Sequence, residues 1–386
     1  MFSHRLASKL EKNRLTLLLD QKRQRGTAIL DLTGSNPTQA NLVYPENLLS
    51  SFTDCRSLLY NPSAKGLMEA RTAVAQYYCE RGQGEIDPED IVLTASTSEA
   101  YAFLFKLLAD PHQNILAPQP SYPLLDFLAA GEAIDVVRYP LIYHDRWQLH
   151  ITEITDHITS QTRALVAVTP NNPTGSFLKV SEWNSLKETC ARHKLPLICD
   201  EVFFDYLLDE TISRFDPIAE QDILTFVLSG LSKVVGLPQM KMGWIVIRGP
   251  KEQRRLARER LEIISDTFLS VNTPVQYASP KLLQIRVSIQ EQIHQRIRSN
   301  LTLLEDLLPA SSLESLPVEG GWYVIVSVPK TRSEEEWALR LLADYDTSVH
   351  PGYFYDFYQE PFLVLSLLTP EKIFKEGIGR LLEAAG

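Results

Sequence analysis

Short apolar runs alternate with longer helix-like stretches through the middle of the chain, from about residue 90 to about residue 250. Continuous apolar strands separated by helices are typical of a mainly parallel sheet with helices on both faces. The pattern therefore predicts an α/β fold whose large domain is built on a mainly parallel seven-stranded sheet. The predicted strands contain residues 91–93, 114–116, 135–137, 165–168, 197–199, 225–228 and 244–247.

Three polar residues follow three of these runs, at the points where the strands should end. Asn172 lies in Thr-Pro-Asn-Asn-Pro-Thr-Gly, Asp200 follows the run 195–199, and Lys233 closes Ser-Gly-Leu-Ser-Lys. Because open α/β sheets bind ligands at the carboxyl ends of their strands, we expect these side chains in one site. A buried amine, a carboxylate and an amide together suit pyridoxal phosphate, whose aldehyde forms a Schiff base with lysine and whose pyridine nitrogen pairs with a carboxylate.

Together these motifs resemble those of the class I/II aminotransferases of fold type I, which depend on pyridoxal phosphate. The resemblance extends over roughly residues 30 to 370. It implies that Lys233 forms the Schiff base and moves the Cα proton, that Asp200 keeps the pyridine protonated, and that Asn172 donates to the phenolic oxygen of the ring. The leading hypothesis is therefore an aminotransferase that moves an amino group from an amino acid or amine to a keto acid.

The resemblance assigns four more residues to the cofactor. Ser96, at a position where glycine is usual, and Thr97 would bind the phosphate at a helix N-terminus, although both are also ordinary helix-capping residues. Tyr122, in Pro-Ser-Tyr-Pro, would stack on the pyridine ring. Tyr60 would reach the cofactor phosphate of a partner subunit, which predicts a homodimer with shared active sites. The other interpretation of Tyr60 is an ordinary core or surface tyrosine.

Further positions depart from the family pattern. Phe203 stands where a tyrosine usually donates to the phenolic oxygen of the ring. Gly230 stands where a phosphate-binding serine is common, so Ser229 or Ser232 would take over that contact. Lys241 replaces an arginine, which keeps the charge but loses the two-pronged guanidinium contact.

The largest departure is Val364, which occupies the position of the arginine that binds the substrate's α-carboxylate in the family. No arginine or lysine occurs between Arg340 and Lys372. A buried carboxylate without a cation costs several kcal/mol. Either the N-terminal segment or the partner supplies a cation, or the substrate lacks a carboxylate there. The preceding loop, residues 350–358, is rich in aromatic residues, so we expect a hydrophobic or aromatic donor rather than aspartate or glutamate.

Two other classes of function remain open at this point. A lyase, decarboxylase or biosynthetic synthase could use the same cofactor, because the fold does not determine which bond is broken. A non-catalytic cofactor-binding module, such as the sensor half of a transcription regulator, would need a DNA-binding domain, and about 30 residues before Asp31 are too few. A net charge of −10 and a pI near 5.4 also argue against a nucleic-acid partner.

The sequence further predicts three regions: an N-terminal arm with part of the small domain (1–45), a large pyridoxal-phosphate-binding domain (46–275) and a small α+β domain (276–386). In the last region we expect a helix over 275–307, a strand over 323–328, a helix over 333–344, a strand over 362–367 and a final helix. The first 25 residues are basic and amphipathic without a signal-peptide core, which favours a helical arm over a transit peptide.

The four cysteines show neither CxxC nor metal-ligand spacing, so we expect free thiols, no metal site and a reducing, cytoplasmic location. No apolar stretch approaches the length of a membrane span, so we expect no membrane partner.

Overall fold

The computed structural model describes residues 3–5, 11–82, 84–359 and 361–386. Residues 1, 2 and 6–10 of the predicted arm lie outside the described residues. The strands are β1 (Leu30–Asp31), β2 (Ile91–Thr94), β3 (Asn114–Gln119), β4 (Asp135–His144), β5 (Arg146–Leu149), β6 (Thr162–Val168), β7 (Leu197–Asp200), β8 (Thr225–Gly230), β9 (Gly243–Arg248), β10 (Glu314–Ser315), β11 (Tyr323–Ser327), β12 (Thr347–Ser348), β13 (His350–Pro351) and β14 (Phe362–Ser366).

The helices complete the alternation that the sequence predicts. They are α1 (Arg14–Gln24), α2 (Met68–Glu80), α3 (Thr97–Leu108), α4 (Leu124–Gly131), α5 (Ile151–His157), α6 (Val180–His193), α7 (Leu231–Val234), α8 (Lys251–Asp266), α9 (Thr273–Gln284), α10 (Arg286–Leu307), α11 (Glu334–Tyr345) and α12 (Glu371–Ala385). The predicted helix over 275–307 is in fact two helices, α9 and α10, which meet at Ile285, and no feature of the sequence explains the break. None of the described helices is long and apolar enough to cross a membrane.

The large sheet has the strand order β2-β9-β8-β7-β6-β3-β4-β5. The run from β8 to β4 is parallel, whereas β9 is antiparallel to both of its neighbours. The mainly parallel α/β architecture is therefore confirmed, with every predicted strand present. The sheet has one strand more than the seven expected, because β5 pairs with β4 as an antiparallel edge strand through a tight turn at Asp145 (φ 61°). Its short, alternating Arg-Trp-Gln-Leu sequence lacks the continuous apolar pattern of the buried strands.

Helices cover both faces of this sheet, and β9 illustrates how. Trp244 and Val246 pack in a cluster with residues of α2 and α9, whereas Ile245 and Ile247 pack with residues of α3 and α8. Successive side chains of a strand point to opposite faces, so a strand buried on both sides is apolar throughout. This explains the continuous apolar runs of the sequence.

A second sheet lies in the C-terminal part and has the antiparallel order β10-β11-β14-β13. A separate two-residue ladder joins β1 to β12 in parallel, with Leu30 opposite Thr347 and Asp31 opposite Ser348. The N-terminal segment is therefore held against strands that are more than 300 residues later in the chain.

The carboxyl ends of β6, β7 and β8 lie side by side at one edge of the large sheet. Val168 is opposite Asp200, and Asp200 is in turn opposite Leu228. The segments that leave these strands, which contain Asn172 and Lys233, therefore begin next to Asp200.

Candidate active site

A cavity of about 350 Å³ opens at this edge of the large sheet. It is lined by the ends of β7 and β8, by the starts of α3 and α4, and by Ser35 of the N-terminal segment. The predicted residues that line it are Ser96, Thr97, Tyr122, Asn172, Asp200, Phe203, Ser232, Lys233 and Lys241.

Two predicted residues do not line this cavity. Ser229 is completely buried, one residue before the strand end, and its hydroxyl has no hydrogen-bond partner in the described part of the chain. Of the two serines that could replace the serine expected at position 230, only Ser232 thus faces the cavity. Tyr60 lines a different, smaller pocket, and its side chain is 83% exposed.

Lys233 lies in α7, directly after β8, with its amine in a largely aromatic environment. Its Nζ is 4.5 Å from the ring centroid of Trp322 and 5.0 Å from that of Phe203. Burial lowers the pKa of this amine to about 8, and the negative charge of Asp200 opposes the shift. The backbone is fixed as well, because the Tyr206 hydroxyl donates to the Lys233 carbonyl at 2.6 Å. A neutral, nucleophilic amine is therefore accessible near neutral pH.

Asp200 is the acidic group of the cavity. Its Oδ2 accepts from the Tyr101 hydroxyl at 3.1 Å, and its Oδ1 accepts from the Val202 amide at 3.1 Å. Burial raises the pKa of the carboxyl to about 6, while these hydrogen bonds and Lys233 oppose the rise. Asp200 forms no ion pair within 4.0 Å among the described residues, so a buried carboxylate faces the cavity without a cationic partner.

Behind Asp200, a buried ion cluster holds the end of β7. Glu201 accepts from both terminal nitrogens of Arg81, at 3.0 and 2.9 Å, and from the Tyr78 hydroxyl at 2.8 Å. Arg81 also donates to Asp216 at 2.7 Å. Burial raises the pKa of Glu201 to about 7, against the effect of Arg81. Because these buried charges are paired and hydrogen-bonded, they fix the backbone that carries Asp200.

The start of α3 forms another wall of the cavity. Ser96 is the N-cap of this helix, since its Oγ accepts from the Glu99 amide at 3.2 Å. Its hydroxyl is therefore already used for capping, whereas Thr97 and Ser98, in the first turn, line the cavity. A helix N-terminus with free amides favours an anion such as a phosphate. Lys241 adds a positive charge at the exposed rim.

The absence of a serine at position 230 has a steric cause. Gly230 is opposite Gly243 in the β8–β9 pair, and a Cβ on Gly230 would lie 2.9 Å from the Gly243 Cα and 3.0 Å from the Met242 carbonyl oxygen. The two strands approach so closely that residue 230 has no room for a side chain.

The cavity also offers an amide and two aromatic rings. The Oδ1 of Asn172 is buried without a hydrogen-bond partner in the described part of the chain, and a 180° turn of the amide would present its nitrogen instead. Tyr122 is half-exposed, and Phe203 is buried edge-on against Trp322, with the ring centroids 5.2 Å apart. Phe203 has no hydroxyl to donate into the cavity.

An unpaired buried carboxylate, an amide without a partner, a desolvated lysine and a helix N-terminus are the groups that pyridoxal phosphate requires. The residues present therefore fit this cofactor. No group of three histidine, cysteine or acidic side chains that could hold a metal ion occurs among the described residues.

Sequence reasoning missed three polar residues of the cavity: Tyr101, Ser35 and Tyr323. Tyr101 could have been found, because it follows Thr97 by four residues and therefore lies on the same face of α3. The hydroxyls of Ser35 and Tyr323 are hydrogen-bonded to each other, and burial raises the pKa of Tyr323 to about 12. Their meeting depends on the long-range β1–β12 pairing, for which the sequence has no local signal.

Val364 lies in β14, opposite Ile325 and His350, and is only 1% exposed. It belongs to the apolar core of the second sheet and does not line the cavity. The aromatic loop 350–358, expected beside the substrate, does not line it either. Tyr355 contacts the cavity wall through its backbone, whose carbonyl accepts from the Ser121 amide at 3.0 Å. The aromatic lining comes instead from Tyr101, Tyr122, Phe203 and Tyr323, which are listed here as the rings that face the cavity.

Comparisons with known proteins agree with this geometry. The family described as "Aminotransferase class I and II" matches residues 29–375. Glutamate-pyruvate aminotransferase AlaA of Escherichia coli K12 is 30% identical over 276 residues, which are 70% of this chain and 67% of that protein. Tyrosine aminotransferase of Bos taurus is 27% identical over 336 residues, which are 84% of this chain and 73% of that protein.

The fold comparison points the same way. The structure of an alanine aminotransferase from Pyrococcus furiosus superposes with a TM-score of 0.87 at 24% identity, covering 99% of each chain. With the family match over most of the sequence, this likeness leaves one assignment. The chain belongs to the class I and II aminotransferases, which are enzymes dependent on pyridoxal phosphate.

Proposed function

We propose that this aminotransferase takes its amino group from donors with hydrophobic or aromatic side chains and passes it to a keto acid. The observation that carries this proposal is the charge of the cavity. Its described lining contains two lysines and one aspartate, but no arginine. A second carboxylate on the donor, as in aspartate or glutamate, would have no guanidinium to pair with in this subunit.

The walls of the cavity support the same donor class. Three leucines of α4, Leu124, Leu125 and Leu128, line it together with the rings of Tyr122 and Phe203. Such walls favour apolar or aromatic side chains, at roughly 25 cal/mol per Å² of apolar surface buried. The relatives named above include a tyrosine aminotransferase and a glutamate-pyruvate aminotransferase, so the family alone does not select the donor.

The donor's α-carboxylate, where present, would meet hydroxyl groups. Ser35 and Tyr323 offer neutral donors on the wall that belongs to the N-terminal segment and β11. A hydrogen bond from a neutral group to a charged one contributes about 1.5–3 kcal/mol. The proposed site therefore binds the carboxylate more weakly than an arginine would and gains affinity from the side chain.

Pyridoxal phosphate, when bound, supplies the aldehyde that takes up the amino group and the ring that withdraws electrons from the donor's Cα. Asp200, ionised above pH 6, would hold a proton at the pyridine nitrogen. Lys233, whose pKa is lowered to about 8, would carry the Cα proton as general base and return it as general acid. Thr97 and Ser98 at the start of α3, together with Ser232 and Lys241, would bind the phosphate, and Asn172 would contact the phenolic oxygen.

We also propose that the active unit is a homodimer with shared sites. Leu58, Leu59 and Tyr60 are consecutive, and their side chains are 87%, 70% and 83% exposed. An exposed apolar group of this kind is typical of a surface that another chain covers. Burial against a second copy would place Tyr60 where it could reach the partner's phosphate site.

Two smaller proposals complete this picture. The N-terminal segment to residue 45 and residues 276–386 would form the small domain, with residues 46–275 as the large one. The exposed, unpaired thiols of Cys55 and Cys79 suit a reducing compartment, so we place the protein in the cytoplasm.

A donor panel tests the proposed function. Purified protein with bound pyridoxal phosphate would be mixed with tyrosine, phenylalanine, methionine, leucine, aspartate and glutamate, and the cofactor absorbance and keto products would be followed. We expect conversion to pyridoxamine phosphate with kcat/KM at least tenfold higher for the apolar and aromatic donors, and no conversion by Lys233→Ala. Equal rates with aspartate would overturn the donor preference. A keto product without pyridoxamine phosphate would instead indicate a lyase, decarboxylase or synthase.

A further inference from the structure

A second cleft, of about 940 Å³, lies at the other end of β9 from the Lys233 cavity and shares no lining residue with it. Its walls are α2, the segment 85–88, and the start of α8. Arg248, the last residue of β9, lies in this cleft, and its guanidinium has an unusual environment.

Arg248 is buried but unpaired. The residue is only 9% exposed, and its Nε is shielded from solvent without a hydrogen-bond partner. Within the described part of the chain the guanidinium forms no hydrogen bond and no ion pair within 4.0 Å. By contrast, Arg254 on the neighbouring helix is paired with Asp90, which Arg258 also approaches at 3.5 Å. A buried charge without a partner costs several kcal/mol unless something neutralises it.

The acidic residues around the cleft do not supply that neutralisation. The carboxylate of Glu220 accepts from the Trp183 indole at 2.8 Å and from the backbone amides of residues 221–223. Asp87 caps the turn at Pro88, and Glu85 is exposed at the rim. Asp90 and Glu220 act on Arg248 only at longer range, while burial and the charge of Arg254 lower its pKa.

The start of α8 adds a second feature at the same place. Its N-cap is Pro250, which provides no side-chain acceptor, so the amides of the first turn have no capping partner. Lys251 and Arg254 of this helix line the cleft beside Arg248. Gly249 makes the tight connection possible, because it has a φ of +116° and a Cβ there would lie 2.4 Å from the Ile223 carbonyl oxygen.

We propose that this cleft is a second ligand site, in which Arg248, Lys251 and the N-terminus of α8 bind the oxyanion group of a small metabolite. Phosphate and carboxylate groups share the chemistry that such a site recognises: negative oxygen atoms that accept from a guanidinium fork and from helix amides. The cleft is larger than either anion, which leaves room for the rest of a ligand.

The test is anion binding by the enzyme with its cofactor bound, so that the cofactor's own phosphate site is filled. Inorganic phosphate and succinate would be titrated separately, in a buffer low in other anions, by isothermal calorimetry and by thermal melting. We expect saturable binding of at least one of them, one per chain, and the tighter probe identifies the group as phosphate or carboxylate. Arg248→Met should weaken binding at least tenfold. Arg260→Met, which removes a charge from the exposed side of the same helix, should leave binding unchanged.

Melting without added anion separates a binding role from a structural one. Because Arg248 has no partner in the protein, Arg248→Met should melt at the wild-type temperature or above it. If this variant does not fold, the arginine is structural and the proposal is wrong. Lys251→Gln, at an exposed position, provides a second variant and should weaken binding several-fold. Absence of saturable binding with both probes, or unchanged binding in Arg248→Met, would also overturn the proposal.

Discussion

Asp200 and Lys233 lie in the same buried cavity, and burial moves their pKa values toward each other. The carboxyl rises to about 6 and the amine falls to about 8. Both groups consequently change charge within two pH units of neutrality, whereas the same groups in water titrate far from it. At the scale of the residue, the site is thus defined by desolvation more than by direct contact.

The raised pKa of Asp200 should be measurable in the cofactor-free protein. Since the folded state holds this proton more tightly than the unfolded chain, the stabilisation is fully present below about pH 4 and is lost as the pH rises through 6. We expect Asp200→Asn to gain about 2–3 kcal/mol in unfolding free energy over wild type between pH 4 and pH 7. Urea unfolding across this range checks it, and parallel pH profiles for the two proteins would contradict it.

Phe203 leads to a second prediction at this scale. Phe203→Tyr would add a hydroxyl that can donate to the phenolic oxygen of the bound cofactor. Because a donor stabilises that oxygen as an anion, we expect the pH at which the cofactor's visible band changes to fall.

A pH titration of the absorbance measures this shift. Phe204→Tyr is the matched control, since Phe204 is equally buried but does not line the cavity. The same midpoint in Phe203→Tyr and wild type would show that the new hydroxyl does not reach the cofactor.

At the scale of the element, the ends of β6, β7 and β8 could be predicted from sequence, and with them the positions of Asn172, Asp200 and Lys233. Each follows a continuous apolar run, and parallel strands bring their carboxyl ends together. Ser35 and Tyr323 could not be predicted, because they meet only through strand pairing across the whole chain. The edge strand β5 was missed for a different reason: it is half-buried and lacks an apolar run.

The contact between β8 and β9 at Gly230 leads to a prediction for an element. Gly230→Ser would press its Cβ against the backbone of Gly243 and Met242, neither of which can move without separating the strands. We expect a loss of about 1–3 kcal/mol of stability and faster release of the cofactor.

Thermal melting and cofactor dissociation would report the two effects of Gly230→Ser. Gly131→Ser is the control, because nothing lies within 4 Å of a Cβ at that position. Wild-type stability in Gly230→Ser would show that the strands tolerate a wider separation and that sterics do not explain the glycine.

At the scale of the whole molecule, the exposed Tyr60 decides whether active sites are shared. In a mixed dimer of Lys233→Ala and Tyr60→Ala chains, one site would carry both changes and the other neither, if Tyr60 acts in the partner's site. We therefore expect the mixed dimer to contain one site with wild-type cofactor retention and activity, although each parent homodimer is impaired.

Differently tagged chains allow the mixed dimer to be isolated, and light scattering gives its mass. A wild-type protein of monomer mass, or a mixed dimer without a normal site, would contradict shared sites.

The short ladder between β1 and β12 has a consequence for the order in which the enzyme can be assembled during translation. Ser35 is among the first residues to leave the ribosome, but its neighbouring segment is held by residues 347 and 348, which emerge near the end of synthesis. The sheet that carries Asp200 and Lys233 is complete about 100 residues earlier, at Arg248. A nascent chain can therefore form the cofactor half of the cavity while the half that faces the donor is still unfinished, so catalysis has to wait for the last tenth of the protein.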